Sequence, residues 1–140
     1  APDHWRIGTI MKPLRNEILA CGEGPVLSRE DDRAFELTYH FGKDFTAFAG
    51  HFPGHPILPA FAQLLAGECA MQTRARREVV LQRVKRAKFL KPIQPDQKIT
   101  VCWREQPTDD GVQGSFTLLA DGEKAATFTL VMTATGQADV

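Results

Sequence analysis

His51 stands in the run Gly50-His51-Phe52-Pro53-Gly54-His55-Pro56-Ile57-Leu58-Pro59-Ala60, where chemistry is easiest to read. Pro53, Pro56 and Pro59 each fix a backbone φ, so the chain beside the imidazole has little freedom. Pro59 suits the first position of a helix, where its missing N–H costs nothing. A helix start offers free N–H groups and the positive end of the helix dipole. A carbonyl oxygen placed there is polarised, and negative charge developing on it is stabilised. A neutral imidazole with an unperturbed pKa of about 6.5 accepts a proton near neutral pH. The two together suit removal of a proton next to a carbonyl. His51 and His55 have the spacing of helical metal ligands, but Pro53, Gly54 and Pro56 forbid a helix there and no third ligand is evident. Neither a metal nor a cofactor is expected, and His55 reads as a solvent-facing loop residue.

The elements around this loop are uneven in clarity. Phe35, Leu37, Tyr39 and Phe41 alternate with Glu36, Thr38 and His40, the period of a strand buried on one face. A helix is expected from about Pro59 to Arg74. Phe61, Ala62, Leu64, Leu65, Ala66, Cys69, Ala70 and Met71 cover nearly its whole circumference, which marks a buried helix. Extended segments follow at about Arg83–Leu90, Lys98–Glu105, Val112–Ala120 and Glu123–Thr133, with Asp121-Gly122 as a two-residue hairpin turn. The first 30 residues are the least legible. Thr9–Glu17 reads as a helix that Pro13 limits to a turn or two, Glu17–Cys21 as the start of a strand, and Gly22–Pro25 as its break. The simplest architecture is α+β, an antiparallel sheet wrapped around one long buried central helix.

With 140 residues, 43% hydrophobic and 24% charged, the chain reads as a single globular domain over 1–140. The formal charge of +0 favours neither nucleic acid nor membrane as partner. No apolar run approaches the roughly 20 residues of a membrane span. Asp3, His4 and Arg6 have no apolar run behind them, so no signal peptide is expected. Cys21, Cys69 and Cys102 are odd in number and far apart, which favours a reducing compartment, the cytoplasm by default. Cys69 reads as a small buried hydrophobe. Eight bases (Arg74, Arg76, Arg77, Arg83, Lys85, Arg86, Lys88, Lys91) face one acid, Glu78, between Arg74 and Lys91. They form either a solvated rim or a docking patch for an acidic carrier protein or the phosphates of coenzyme A.

Gly50 through Pro59 resembles the Gly-His-Phe-x-Gly-x-Pro-x-x-Pro-Gly pattern of the hot-dog-fold β-hydroxyacyl-ACP dehydratases of fatty acid synthesis and their polyene-pathway relatives. Val84 to Asp96 resembles the family's strand after the central helix, and Gln63 matches a glutamine of the polyene-type members. The resemblance runs from about Ala34 to Thr133. It implies a homodimer with joined sheets, or an assembly of such dimers, acting on a 3-hydroxyacyl thioester carried by acyl carrier protein or coenzyme A. It implies that His51 moves the α-proton and that the Ala60 N–H binds the thioester carbonyl, with Gly50, Phe52, Pro59, Phe61 and Leu65 around the substrate. The family's acid lies fourteen residues after its histidine; here that position is Leu65. The family's helix-start glycine is Ala60. Glu68, one turn beyond Leu65, is either a displaced acid or a bystander paired with a base such as Lys88. It also fits the family's Glu-x-x-x-Gln, with Gln72, if the helix has gained a turn. The expected activity is dehydration to a 2-enoyl thioester. The alternatives are a non-catalytic thioester binder or heterodimer partner lacking its own acid, and an acyl thioesterase.

Overall fold

Alternating side chains on four of the six strands set the architecture. The computed structural model describes residues 12–29, 33–49, 54–76 and 79–134. Strands β1 (Gly22–Arg29), β2 (Ala34–His40), β3 (Val79–Phe89), β4 (Lys98–Thr108), β5 (Gly111–Ala120) and β6 (Glu123–Ala134) form one sheet. Its order is β1-β2-β4-β5-β6-β3, and every neighbouring pair is antiparallel. Helix α1 covers residues 12–20, and helix α2 covers Ala60–Ala75. The sheet wraps α2 in the hot-dog arrangement.

The two-residue period puts Leu37 and Tyr39 of β2, Val101 and Trp103 of β4, Phe116 and Leu118 of β5, and Phe128 and Leu130 of β6 on the inner face, all buried. Trp103, Phe116 and Phe128 stack across three strands with ring centroids 5.6 and 5.3 Å apart. Burying each such ring contributes about 2–3 kcal/mol. Helix α2 approaches this face closely because Gly67 has no side chain. A Cβ there would stand 2.8 Å from the Phe128 ring. Asp121 (φ 50) and Gly122 (φ 87) make the β5–β6 turn, both in the left-handed region that a type I′ hairpin demands. Asp121 also accepts the Lys98 N–H through Oδ1 at 2.9 Å.

The N-terminal third differs from expectation. Pro13 lies in the first turn of α1, where its missing N–H breaks no helical bond, so the helix runs on to residue 20. Residues 17–20 are therefore helical, and the strand begins only at Gly22. Gly22–Pro25 belongs to β1, which absorbs it as an irregularity between Glu23 and Leu27, with Gly24 at φ 76. Strand β3 also starts earlier than the sequence suggests, at Val79. Pro59 is the N-cap residue of α2 rather than its first helical residue. No helix among the described residues is long and apolar enough to cross a membrane.

Candidate active site at the start of the central helix

Gly50, His51 and Phe52 lie outside the described residues, but the chain on both sides of them is firmly held. Upstream, Phe45, Ala47 and Phe48 are buried, with Phe45 stacked on Phe41 at a centroid distance of 4.5 Å. Glu17 of α1 accepts the Thr46 N–H at 3.0 Å. Downstream, Leu58 is buried and its N–H donates to the Ile93 carbonyl at 2.8 Å. His55 is exposed.

Pro59, at φ −69 and ψ 158, enters α2 in extended geometry. Pro59 offers no side-chain cap, and no acidic residue lies in the first turn. The Ala62 and Gln63 N–H groups both return to the Pro59 carbonyl, at 3.0 and 3.2 Å. Among the described residues no side chain caps the positive end of α2, where the Ala60 N–H lies. A groove of about 350 Å³ opens at this point. One wall is Ile57, Leu58, Pro59, Ala60 and Gln63; the other is the end of β3 and its continuation, Phe89, Leu90, Lys91 and Pro92. The opening is apolar and ends on a helix dipole, which is what a thioester carbonyl on an acyl chain requires. A larger groove, of about 540 Å³, lies on the outward face of β2, β4 and β5 around Thr100, Cys102 and Thr117. It has no helix terminus, and the sheet separates it from α2.

Of the remaining residues singled out in the sequence, Phe61 is 40% exposed and Leu65 is buried; neither lines the groove. Glu68 is 5% exposed and its partner is Arg15 of α1, with Arg15 Nη1 2.7 Å from Glu68 Oε2. Lys88, the base expected from the sequence, is an exposed residue of β3. Glu68 also stands two helical turns, about 12 Å of rise, beyond Ala60. It is absent from the groove lining. In this position its carboxylate anchors α1 through Arg15. Next to it, Cys69 is fully buried, and its thiol donates to the Arg15 carbonyl at 3.8 Å. Burial pushes this thiol up to about 12, against the opposing charge of Arg15. That makes it a core residue and not a nucleophile. Gln63 is the groove residue that sequence reasoning used only for alignment. A polar side chain at a fully buried position of an apolar helix was the available signal.

Residues 27–129 match the family model of ApeI-like proteins, described as ApeI dehydratase. The chain belongs to the ApeI-like dehydratase family. Several solved structures share the fold of this ApeI-like chain. One is described as the dehydratase heterocomplex ApeI:P from Xenorhabdus doucetiae; it is 19% identical, with a TM-score of 0.61, over 79% of this chain and 99% of that one. An uncharacterised protein from Erwinia carotovora subsp. atroseptica is 22% identical, with a TM-score of 0.62, over 81% and 94%. A hypothetical thioesterase with coenzyme A from Streptococcus pneumoniae is 13% identical, with a TM-score of 0.63, over 91% and 98%. No curated protein matches the sequence.

The basic residues of this ApeI-like chain divide into two groups. Arg74 is committed to the fold: its guanidinium makes two bonds to Glu105, at 2.8 and 2.7 Å, and lies 4.9 Å from the centre of the Phe35 ring. Trp103 Nε1 donates to the same Glu105 carboxylate at 2.9 Å. Lys91 pairs with Glu123. Arg83, Arg86 and Lys88 are exposed on β3, Lys85 is half-buried there, and Arg76 is exposed at the C-cap of α2. Arg77 lies outside the described residues. Among the described residues β3 pairs only with β6, so its basic face sits at a sheet edge.

Proposed function

We propose that the protein dehydrates a 3-hydroxyacyl thioester to the 2-enoyl thioester. The observation that carries this reading is the uncapped start of α2, with Ala60 in the wall of an apolar groove, directly after the His51 loop of an ApeI-like chain. His51 takes the α-proton, and the electron pair of that C–H bond becomes the new C=C bond. The C3–O bond breaks, and the hydroxyl leaves as water after receiving a proton. Negative charge rising on the thioester oxygen is met by the Ala60 N–H and the helix dipole. Gly50, Phe52 and Pro59 shape the His51 end, and the exposed Phe61, outside the groove of the single chain, meets the acyl chain where a second subunit completes the site.

The proton for the departing hydroxyl has no donor at Leu65, and Glu68 is held by Arg15. An ordered water or a partner subunit supplies it. The partner reading is favoured by one further observation. Among the described residues the outer edge of β3 has no neighbouring strand, and Val80, Phe89 and Leu90 are exposed along it. A second subunit pairs there, either another copy or a related chain carrying the acid, as the description of ApeI:P as a heterocomplex suggests. The exposed bases of β3 and Arg76 serve an acidic acyl carrier protein or the phosphates of coenzyme A.

Product analysis tests the reading. The purified protein incubated with a 2-enoyl thioester is expected to form the 3-hydroxyacyl thioester. Release of free thiol without hydration would select the thioesterase alternative, and binding without turnover would select the acid-deficient partner.

A further inference from the structure

Gln63 is 4% exposed and carries two amide atoms with different fates. Its Nε2 donates to the Leu58 carbonyl at 3.0 Å. That bond fixes the orientation of the amide, because a flipped side chain would set oxygen against oxygen. Its Oε1 is buried and meets no donor among the described residues. A buried acceptor left unpaired costs about 1–3 kcal/mol. An apolar side chain of similar shape would avoid that cost, at the loss of one neutral bond to Leu58. The residue also lines the groove at the start of α2, one turn from Ala60. Packed as it is, Oε1 is not served by bulk water. A ligand filling the groove can bring that donor, through a side-chain adjustment of the kind that accompanies binding.

We propose that Gln63 Oε1 is a positioning acceptor for an N–H or O–H group of the bound acyl thioester. The inference rests on the acyl-thioester reading above and adds a specificity element to it. Two groups of a 3-hydroxyacyl thioester have this chemistry: the 3-hydroxyl, and the amide N–H groups of the pantetheine arm. The 3-hydroxyl is present in the substrate and absent from the enoyl product, so an acceptor for it distinguishes the two. The pantetheine amides are common to both. Gln63 neither gains nor loses a proton in this role. It fixes the ligand along the groove while the α2 terminus holds the carbonyl.

The test is equilibrium binding in a His51→Ala background, which silences turnover and leaves Gln63 in place. The probes are 3-hydroxyoctanoyl-coenzyme A and octanoyl-coenzyme A, which differ only in the hydroxyl. If the hydroxyl is the donor, the hydroxylated ligand binds about tenfold tighter and adding Gln63→Leu removes that preference. If a pantetheine amide is the donor, the two ligands bind alike and Gln63→Leu weakens both about tenfold. Unchanged binding of both ligands in Gln63→Leu overturns the inference and leaves the acyl-thioester reading standing. Absence of binding by either ligand, in this background and in the wild type, overturns both. Should Gln63→Leu lose its fold, the ¹³C shift of the Gln63 side-chain carbonyl on adding each ligand decides. A shift supports the bond, and none overturns it.

Discussion

Arg15 Nη1 lies 2.7 Å from Glu68 Oε2, joining the N-terminal helix to the buried central one. With Glu17 holding Thr46 at 3.0 Å, this pair ties α1 to both the core and the loop that leads to His51. Arg15→Met leaves the buried Glu68 carboxylate without its partner, and Glu68→Gln leaves the partly exposed Arg15 without its counter-charge. Each is expected to cost about 3 kcal/mol in chemical denaturation, the low end for a buried pair because Arg15 is partly exposed. Hydratase activity per folded molecule is expected to persist in Glu68→Gln. Loss of activity with unchanged stability would make Glu68 the acid after all.

Ala60→Pro isolates the helix-terminus contribution. Pro is favoured at the first helical position, and Pro59 already has the extended ψ that a following proline requires. The fold is therefore expected to survive while one N–H is lost. A fall in kcat/KM of about a hundredfold or more, at unchanged melting temperature, is expected from losing one such donor.

Leu65→Glu restores a carboxyl group at the position of the family's acid. Where the pocket lacks only that acid, hydration of a 2-enoyl thioester is expected to rise by about 10². A folded variant with no gain would place the proton donor elsewhere, on water or a partner chain.

Much of this arrangement is legible in the sequence, for reasons that differ by element. The α2 boundaries and the β5–β6 turn are local, fixed by Pro59 at one end and by Asp121-Gly122 at the other. The N-terminal third is not local. Helix α1 is held by contacts of Arg15, Glu17 and Ile18 with residues far along the chain, which no nearby pattern announces. The same holds for the partner of Glu68, since Arg15 is more than fifty residues away in sequence. Lys88 is nearer in sequence and has the right charge, but on β3 it is exposed to solvent. Gln63 stands out in the sequence as a polar residue on an apolar helix, but its unpartnered oxygen exists only once the helix is packed.

Cys69 gives a pH test of the core. Its thiol moves from an ordinary 9.0 to about 12 through burial. Between those values the unfolded chain loses a proton that the folded chain keeps. Unfolding is favoured, and stability falls as pH rises through the window. The denaturation midpoint is expected to drop from pH 8 to pH 10.5 more steeply in the wild type than in Cys69→Ala. Equal slopes would mean that the thiol titrates normally.

The most direct measurement of the central claim is the rate at which purified protein hydrates 2-enoyl thioesters, compared with His51→Ala. Turnover in the wild type, lost in a His51→Ala variant that keeps its melting temperature, is the result expected if His51 removes the α-proton. Equal rates in the two proteins, or no turnover at any chain length even with a partner subunit supplied, would contradict it.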